Sequence, residues 1–341
     1  MLLMIISLIV TLSYCNKNSD EALTPTNTIQ KMNGVSFAAP NYPFDNSEFE
    51  PVVNVNANFI CLMPFAFGQF DNTALSFDVN FQWWGEKTEG IIASAGYARE
   101  NSLSILLKPH VWFWHGTFTG DFILHNEADW QEWEKNYTRY IVHFAHLADS
   151  LDIELYSIGV EFKKFVAERP DFWLQLIDTV RSIYDGNIIY SANWDNYKNV
   201  EFWDRLDYIG INAYFPLSEE KTPGPDTLFA GWTEHYETIR AFGDKVGKPV
   251  IFTEYGYKSI DFTASTPWDP EDGEVNLVAQ QNAYDALFQK FWHADWFAGG
   301  FLWKWRADHK SAGGSGNKSY TPQNKPVEET IRYHYKKTNA N

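Results

Sequence analysis

Two glutamates lie at the ends of short apolar runs, where an ionised side chain is costly to bury without a partner. Glu161 closes the run IELYSIGVE (153–161), and Glu254 lies within PVIFTEYGY (249–257). Apolar runs of this length, bounded by turn signals, are typical of strands that are buried on both faces. Two carboxyl groups brought together across one pocket are what the cleavage of a glycosidic bond requires. The pair is therefore the candidate catalytic site.

Eight apolar runs predict the strands that position these acids. In chain order the runs are 34–40, 58–65, 103–112, 153–161, 187–193, 208–215, 249–257 and 297–305. Helical patterns alternate with most of them, which predicts an α/β protein folded as a single-domain (β/α)8 TIM barrel. A doubly wound parallel sheet is the alternative, but the sequence lacks the Gly-rich first turn of that fold. The link between the first two strands shows no clear helical pattern, so we expect it to be irregular.

Apolar side chains at three- and four-residue spacing mark the helices between these strands. The clearest helical pattern spans 127–151, and Asn126 is its predicted N-cap. A second helix begins near Pro170, because proline is tolerated in the first turn of a helix. Further patterns predict a third helix around 277–291 and a weaker fourth around 232–239.

Composition narrows the classes of partner. The chain has 27 Lys and Arg residues against 44 Asp and Glu residues, a net charge of −17. Nucleic-acid binding requires a basic face, so we expect no nucleic-acid partner. Aromatic residues make up 17% of the sequence, with 15 Trp, 18 Tyr and 26 Phe. This abundance is consistent with stacking on sugar rings, and an aromatic-rich core is the alternative.

The N-terminal segment has the features of an export signal. Cys15 follows MLLMIISLIVTLSY, an apolar stretch too short to span a bilayer. LSYC resembles a lipoprotein processing box, so we predict a leader over 1–15, a flexible tether over 16–31 and a catalytic domain over 32–341. The protein is then an exported bacterial membrane lipoprotein, periplasmic or cell-surface, lipidated at Cys15. An ordinary cleaved signal peptide and secretion is the alternative. Cys61 is expected to be a buried thiol without a partner.

The predicted barrel explains how the two glutamates meet. Catalytic residues of such barrels gather where the strands end. Glu161 ends predicted strand four and Glu254 lies near the end of strand seven, so their carboxyl groups lie across the mouth of the barrel. At a separation of about 5 Å, one acid attacks the anomeric carbon while the other protonates the leaving oxygen, with retention of configuration. Crowding two carboxylates raises the pKa of one of them. The alternative is a pair of surface or ion-paired glutamates.

Four motifs carry a resemblance to a known family. They are GVEFKK after strand four, FTEYGY on strand seven, LKPHVW on strand three and YTPQNKPVEETI near the C-terminus. From about residue 32 onward the chain resembles glycoside hydrolase family 113, a clan A family of retaining (β/α)8 glycosidases whose known activity is chiefly endo-β-1,4-mannanase. The resemblance implies Glu161 as general acid/base and Glu254 as nucleophile. Many clan members carry Asn before the acid/base, whereas this chain has Val160, which leaves the identity of the sugar open.

Further polar and aromatic side chains at the strand ends are candidates for binding sugar. These candidates are Lys108, His110, Trp112, Asn193, Trp194, Asn212, Tyr214, Trp303 and Trp305. Tyr214 is expected to hydrogen-bond the nucleophile, the usual clan arrangement, and Lys108 to reach a hydroxyl or a catalytic carboxylate. Trp83 and Trp84, in FQWWGE, form a predicted stacking platform. For any of these residues a role in filling the core is the alternative.

The sequence contains no motif that indicates a metal or a cofactor. It has no HExxH-like pattern, serine nucleophile elbow, P-loop or dinucleotide fingerprint, so we expect neither. The predicted function is retaining cleavage of a β-1,4-linked polysaccharide or oligosaccharide, with mannan as the first candidate. One alternative is an enzyme with the same mechanism that acts on a β-glucan or a glucosamine-containing polymer. The other is a surface glycan-binding lipoprotein without turnover, against which the presence of both acids argues.

Overall fold

Eight parallel strands close into a barrel in the computed structural model of this chain, which describes residues 31–268 and 273–339. Numbered one to eight, the strands are Met32–Ala38, Phe59–Leu62, Ser104–Leu107, Leu155–Val160, Asn187–Asn193, Ile209–Asn212, Val250–Tyr255 and Phe297–Arg306. Each strand pairs with the next along the chain, and strand one also pairs with strand eight. The predicted (β/α)8 barrel is confirmed. Cys15, the predicted leader and all but the last residue of the tether lie outside the described residues.

Helices connect most of these strands, as the alternation predicted. They are Glu50–Asn54, Thr88–Glu100, Glu127–Ser150, Lys163–Glu168, Pro170–Arg181, Pro225–Val246, Leu277–Phe291 and Pro326–Asn339. Asn126 caps the helix Glu127–Ser150, because its side chain accepts a hydrogen bond from the Asp129 backbone N–H at 2.9 Å. The fourth predicted helix is longer than its weak pattern suggested. No helix within 31–268 and 273–339 is long and apolar enough to cross a membrane.

Two of the predicted strands are shorter than expected and continue into a second sheet. The runs 58–65 and 103–112 leave the barrel at Leu62 and Leu107, two residues before Pro64 and Pro109. Proline has no N–H to donate, so each barrel ladder stops there. The chain then forms a separate three-stranded sheet from Phe65–Gly68, Leu75–Ser76 and His110–Phe113. This sheet, called the rim sheet below, lies beyond the C-terminal ends of strands two and three.

Apolar side chains fill two layers, one inside the barrel and one between the barrel and its helices. The inner layer includes Met32, Cys61, Leu106, Leu155, Ile189, Ile251 and Phe301. Cys61 is buried, as predicted, and is a free cysteine among the described residues, and burial raises the pKa of its thiol to about 12. The outer layer holds large aromatic rings such as Trp133, Trp173 and Trp232. Much of the aromatic content is therefore core.

The C-terminal helix, Pro326–Asn339, closes the lower end of the barrel through a buried amide. Asn33, on strand one, is fully buried, and its Oδ1 accepts a hydrogen bond from Trp292 Nε1 at 2.8 Å. Its Nδ2 donates to Thr338 Oγ1 at 3.0 Å and to Asn339 Oδ1 at 2.7 Å. One side chain thus satisfies polar groups from two helices at the same time.

Replacing this amide is expected to destabilise the whole barrel. Asn33→Ala leaves the indole N–H of Trp292 buried without an acceptor and should lower the free energy of unfolding by about 2–3 kcal/mol. Urea denaturation followed by tryptophan fluorescence measures this. Asn80→Ala, at an exposed residue, is the control and should change stability by less than about 0.5 kcal/mol. Equal stability of the two variants would contradict the assigned role.

Candidate active site

Glu161 and Glu254 lie on the wall of one cavity of about 590 Å³ at the C-terminal end of the barrel. Glu161 is the first residue after strand four, and Glu254 is the fifth residue of strand seven. Glu161 has a positive φ of 56°, a left-handed conformation that is uncommon outside glycine. Its backbone N–H is held by a hydrogen bond to the carbonyl of Ser191 on strand five, at 2.9 Å. The acid is thereby turned out of the strand and into the cavity.

Glu254 is held by a buried cation and a phenol. Lys108 Nζ lies 2.6 Å from Glu254 Oε1, and Tyr214 Oη donates a hydrogen bond to Oε2 at 2.9 Å. The Lys108 ammonium donates a further bond to the carbonyl of Thr253 at 3.2 Å. Lys108 is fully buried and Glu254 nearly so, so each charge compensates the desolvation of the other. One carboxyl oxygen of Glu254 thus contacts a cation and the other accepts a hydrogen bond from a phenol.

The environment of Glu161 differs from that of Glu254. Burial raises its pKa to about 7, and the negative charge of Glu254 contributes in the same direction. The main opposing contact is a hydrogen bond of 2.9 Å from Asn212 Nδ2 to Glu161 Oε1. The Asn212 amide is itself oriented by Thr253 Oγ1, which donates to Asn212 Oδ1 at 2.8 Å. With a pKa of about 7, Glu161 can hold a proton at a pH where an ordinary glutamate is ionised.

His110 adds a neutral polar group beside Glu254. Its Nε2 lies 3.8 Å from Glu254 Oε1 and is buried without a hydrogen-bond partner among residues 31–268 and 273–339. Burial, together with the nearby charges of Lys108 and Lys304, lowers the pKa of His110 well below its usual value. The ring stacks on Phe65 with centroids 5.0 Å apart. A neutral imidazole in this position can exchange a hydrogen bond with a sugar hydroxyl.

One side of the cavity is aromatic and open to solvent. It is formed by five side chains, called the aromatic wall below: Phe67, Phe81, Trp83, Trp112 and Trp114. Trp83 and Trp112 are each 50% exposed, and exposed apolar groups that cluster in this way mark binding surfaces. Trp303 lines the cavity too, and the ammonium of Lys304 lies 5.3 Å from its ring centroid. Faces of this type stack on the apolar faces of sugar rings.

Two predicted sugar-binding tryptophans lie outside the cavity. Trp305 is fully buried and stacks on His309 at 5.5 Å. The pairing of strands one and eight shifts between Val35 and Phe37, which breaks the alternation that would have placed Trp305 on the same side as Trp303. Trp84 is part of a turn and packs edge-on against a phenylalanine ring of the core, 5.5 Å away. Only Trp83 of that predicted platform lines the cavity.

Asn193 and Trp194 also lie away from this cavity. Asn193 ends strand five, where its Oδ1 accepts a hydrogen bond from the Trp194 backbone N–H at 3.0 Å. The indole of Trp194 stacks on Trp268, with ring centroids 4.9 Å apart. The prediction assumed that every residue at a strand end faces this cavity, whereas Asn193, although paired with Asn212 of strand six, does not line it.

Several residues that line the cavity were not among the predicted site residues. They are Phe65, Phe67, Phe81, Glu86, Trp114 and Lys304. Most belong to the rim sheet or to the loops around it, an element that the alternation of strands and helices does not predict. The density of aromatic residues in FQWWGE and HVWFWHG was the available signal. In the part of the chain that the structure describes, no group of three or more His, Cys, Asp or Glu residues is arranged to hold a metal ion.

The chain is similar in sequence and in fold to known glycoside hydrolases. The sequence profile of Glycoside Hydrolase Family 113 matches residues 44–325. Among solved structures, the chain is similar to a GH113 β-mannanase from Alicyclobacillus acidocaldarius in complex with ManMIm, with 24% identity and a TM-score of 0.79 over 90% of this chain and 98% of that one. A GH113 β-1,4-mannanase structure has 26% identity and a TM-score of 0.75, covering 90% and 99%.

More distant structures share the barrel. A β-glucuronidase from Faecalibacterium prausnitzii has 14% identity and a TM-score of 0.60, and the alignment covers 90% of this chain but 49% of that one. No curated protein sequence matches the chain. The match to the family profile, over residues 44–325, spans most of the chain. The chain therefore belongs to glycoside hydrolase family 113.

Proposed function

We propose that this glycoside hydrolase is a retaining endo-β-1,4-mannanase in which Glu161 is the general acid/base and Glu254 the nucleophile. The observation that carries the proposal is the opposite environment of the two glutamates in one cavity. Glu254 contacts the Lys108 ammonium and the Tyr214 hydroxyl, whereas burial raises the pKa of Glu161 to about 7. A double displacement requires two such different groups, because one carboxylate attacks the anomeric carbon and the other carboxyl group donates a proton.

In the first step, the Glu254 carboxylate attacks the anomeric carbon while Glu161 donates its proton to the departing glycosidic oxygen. Lys108 and Tyr214 hold Glu254 in place, and Glu254 gives up part of its charge as the glycosyl ester forms. Glu161 is left ionised and accepts the hydrogen bond of Asn212. In the second step it removes a proton from water, which attacks the same carbon and releases the sugar with retained configuration.

Mannan is the proposed substrate because of the likeness to the family 113 β-mannanases. The aromatic wall supports binding of a polysaccharide, since exposed indole faces in an open cavity can stack on sugar rings. Val160, directly before Glu161, lines the same cavity, and its side chain offers the sugar no hydrogen bond. A 2-hydroxyl must then find another partner, and we propose His110 for that role, because its Nε2 is buried without a hydrogen-bond partner among the described residues.

Activity of the purified protein on β-mannan, β-glucan and chitosan tests this function. We expect release of manno-oligosaccharides of several sizes, which indicates endo action. Glu254→Gln should abolish turnover because no covalent intermediate forms. Glu161→Gln should lower kcat on mannan by about 10²- to 10⁴-fold but cost less on an aryl mannoside, whose leaving group needs little protonation.

Glu168→Gln is the control, because this exposed glutamate lies in the same segment as Glu161 but outside the cavity. It should retain wild-type rates. Unchanged turnover in both catalytic variants would refute the assignment of the acids. Hydrolysis of glucan or chitosan in place of mannan would be consistent with the proposed mechanism but would identify a different sugar as the substrate. Binding without hydrolysis of any polymer would favour a glycan-binding protein.

The pH profile provides an independent test of Glu161 as the acid. Only the protonated form of Glu161 can act as the acid, so kcat/KM should fall as the pH rises through about 7. The Asn212 hydrogen bond stabilises ionised Glu161 and lowers its pKa. Asn212→Ala should therefore move the alkaline limb to higher pH. Asn187→Ala, at the opposite end of the barrel, should leave it in place, and a limb that stays or moves to lower pH in Asn212→Ala would exclude this coupling.

We further propose that the enzyme is an exported lipoprotein anchored through Cys15, as the leader sequence LSYC indicates. Expressed in a bacterial host, the wild type should fractionate with membranes, and its mature N-terminus should be a diacylglyceryl cysteine by mass spectrometry. Cys15→Ala should lose the lipid. A mature N-terminus elsewhere than at Cys15, without lipid, would instead indicate an ordinary cleaved signal peptide.

A further inference from the structure

A third carboxyl group, Glu86, lies in the cavity without a function in the mechanism above. It is partly buried and lines the same cavity as Glu161 and Glu254. Within 31–268 and 273–339, no group donates a hydrogen bond to its carboxylate and no cation forms an ion pair with it. Burial raises the pKa of Glu86 to about 7. A desolvated carboxyl group without a partner is costly, and such groups are concentrated at functional sites.

The backbone around Glu86 is fixed by contacts to two other elements. Trp84–Glu86 is a single 3-10 turn, and the Gly85 N–H donates a hydrogen bond of 3.1 Å to the carbonyl of Pro40, after strand one. A Cβ on Gly85 would lie 2.2 Å from Ala39 Cβ, so this close approach requires glycine. The carboxyl group is therefore carried by a rigid turn and not by a loose loop.

A buried amide ties the same turn to the rim sheet. Gln82 Nε2 donates to the carbonyl of Phe65 at 2.7 Å and to the carbonyl of Glu86 at 3.2 Å. The Glu86 N–H in turn donates to the carbonyl of Trp83 at 3.1 Å. Trp83 and Glu86 thus stand at the two ends of one turn, and both line the cavity. An apolar ring face and a hydrogen-bonding carboxyl group are presented side by side.

The ring of Trp303 links the catalytic pair to Lys304 within the cavity. Lys108 Nζ, which contacts Glu254, lies 5.6 Å from the centroid of this ring, and Lys304 Nζ lies 5.3 Å from it. Burial lowers the pKa of Lys304, and the negative charges of Glu254 and Glu86 oppose that shift. Lys304, Glu86 and Trp83 all line the cavity that holds the catalytic pair.

We propose that Glu86 is a specificity-determining residue that hydrogen-bonds hydroxyl groups of a sugar ring next to the cleaved bond, while that ring stacks on the aromatic wall at Trp83. A carboxyl group can accept two hydroxyl hydrogen bonds when ionised and can both accept and donate when protonated. It therefore suits a neutral sugar in either state. The inference rests on the proposed function, because it assigns a position to a second ring of the same β-1,4-linked substrate.

Kinetics with substrates of different length test this position. Glu86→Ala should raise KM for mannohexaose about tenfold, the loss expected for one charge-assisted hydrogen bond, with kcat within about twofold of the wild type. Glu86→Gln keeps the shape and one acceptor, and should raise KM less. For an aryl β-mannoside, which places no second sugar ring in the cavity, KM should not change in either variant. Glu89→Gln, an exposed glutamate paired with Lys87, is the control and should behave as wild type.

Two results would overturn the inference. Unchanged KM for mannohexaose in both Glu86 variants would show that the group does not contact substrate. An equal rise in KM for the hexamer and the aryl mannoside would place Glu86 against the ring that is cleaved. If the wild type hydrolyses β-1,4-linked glucose or glucosamine oligomers instead, the hexamer and aryl glycoside of that sugar replace the mannosides. Failure of the proposed substrate is thereby separated from failure of this subsite, and melting temperatures of all variants identify any loss of folding.

Discussion

The buried contact between Lys108 and Glu254 is the interaction on which the site depends. A lysine that is fully buried in a barrel interior is sustained only by a charge of opposite sign or by several acceptors. Lys108 has both, in the Glu254 carboxylate and the Thr253 carbonyl of the opposite strand. Because strand three supplies the cation and strand seven the anion, the barrel has to close correctly for either charge to be tolerated. Folding of the barrel and formation of this ion pair are thus coupled.

That one pair also determines the state of its neighbours. Burial makes a charge on Glu161 unfavourable, and the negative charge of Glu254 adds to this effect. Burial, together with the positive charges of Lys108 and Lys304, lowers the pKa of His110 well below its usual value. Two glutamates of identical chemistry therefore differ because one has a cation and a phenol as partners and the other an amide. The arrangement is electrostatic preorganisation, since these partners are in place before substrate binds.

Sequence reasoning located the two glutamates because their signal is local. A carboxyl group at the end of a strand buried on both faces has few structural explanations, and eight such runs predict the barrel that brings two strand ends together. Trp305 was misplaced because the shift in pairing near Phe37 is a property of two strands and not of one. Glu86 was missed because its turn is defined by contacts to Pro40 and Phe65, which are distant in sequence. Local patterns predict elements, whereas such tertiary contacts decide which side chains enter the cavity.

The charge distribution in the cavity contrasts with that of the chain as a whole. The sequence has a net charge of −17. In the cavity, however, Lys108 forms an ion pair with Glu254, and the negative charges of Glu254 and Glu86 favour the charged form of Lys304. The cavity thus contains carboxyl and ammonium groups together, Glu86, Glu161 and Glu254 with Lys108 and Lys304. A neutral polysaccharide gains nothing from long-range steering, so its affinity has to come from ring stacking and hydrogen bonds. The aromatic wall supplies the first and the carboxyl, imidazole and amide groups supply the second, whereas a polyanionic polymer would be repelled by the acidic surface before it reached them.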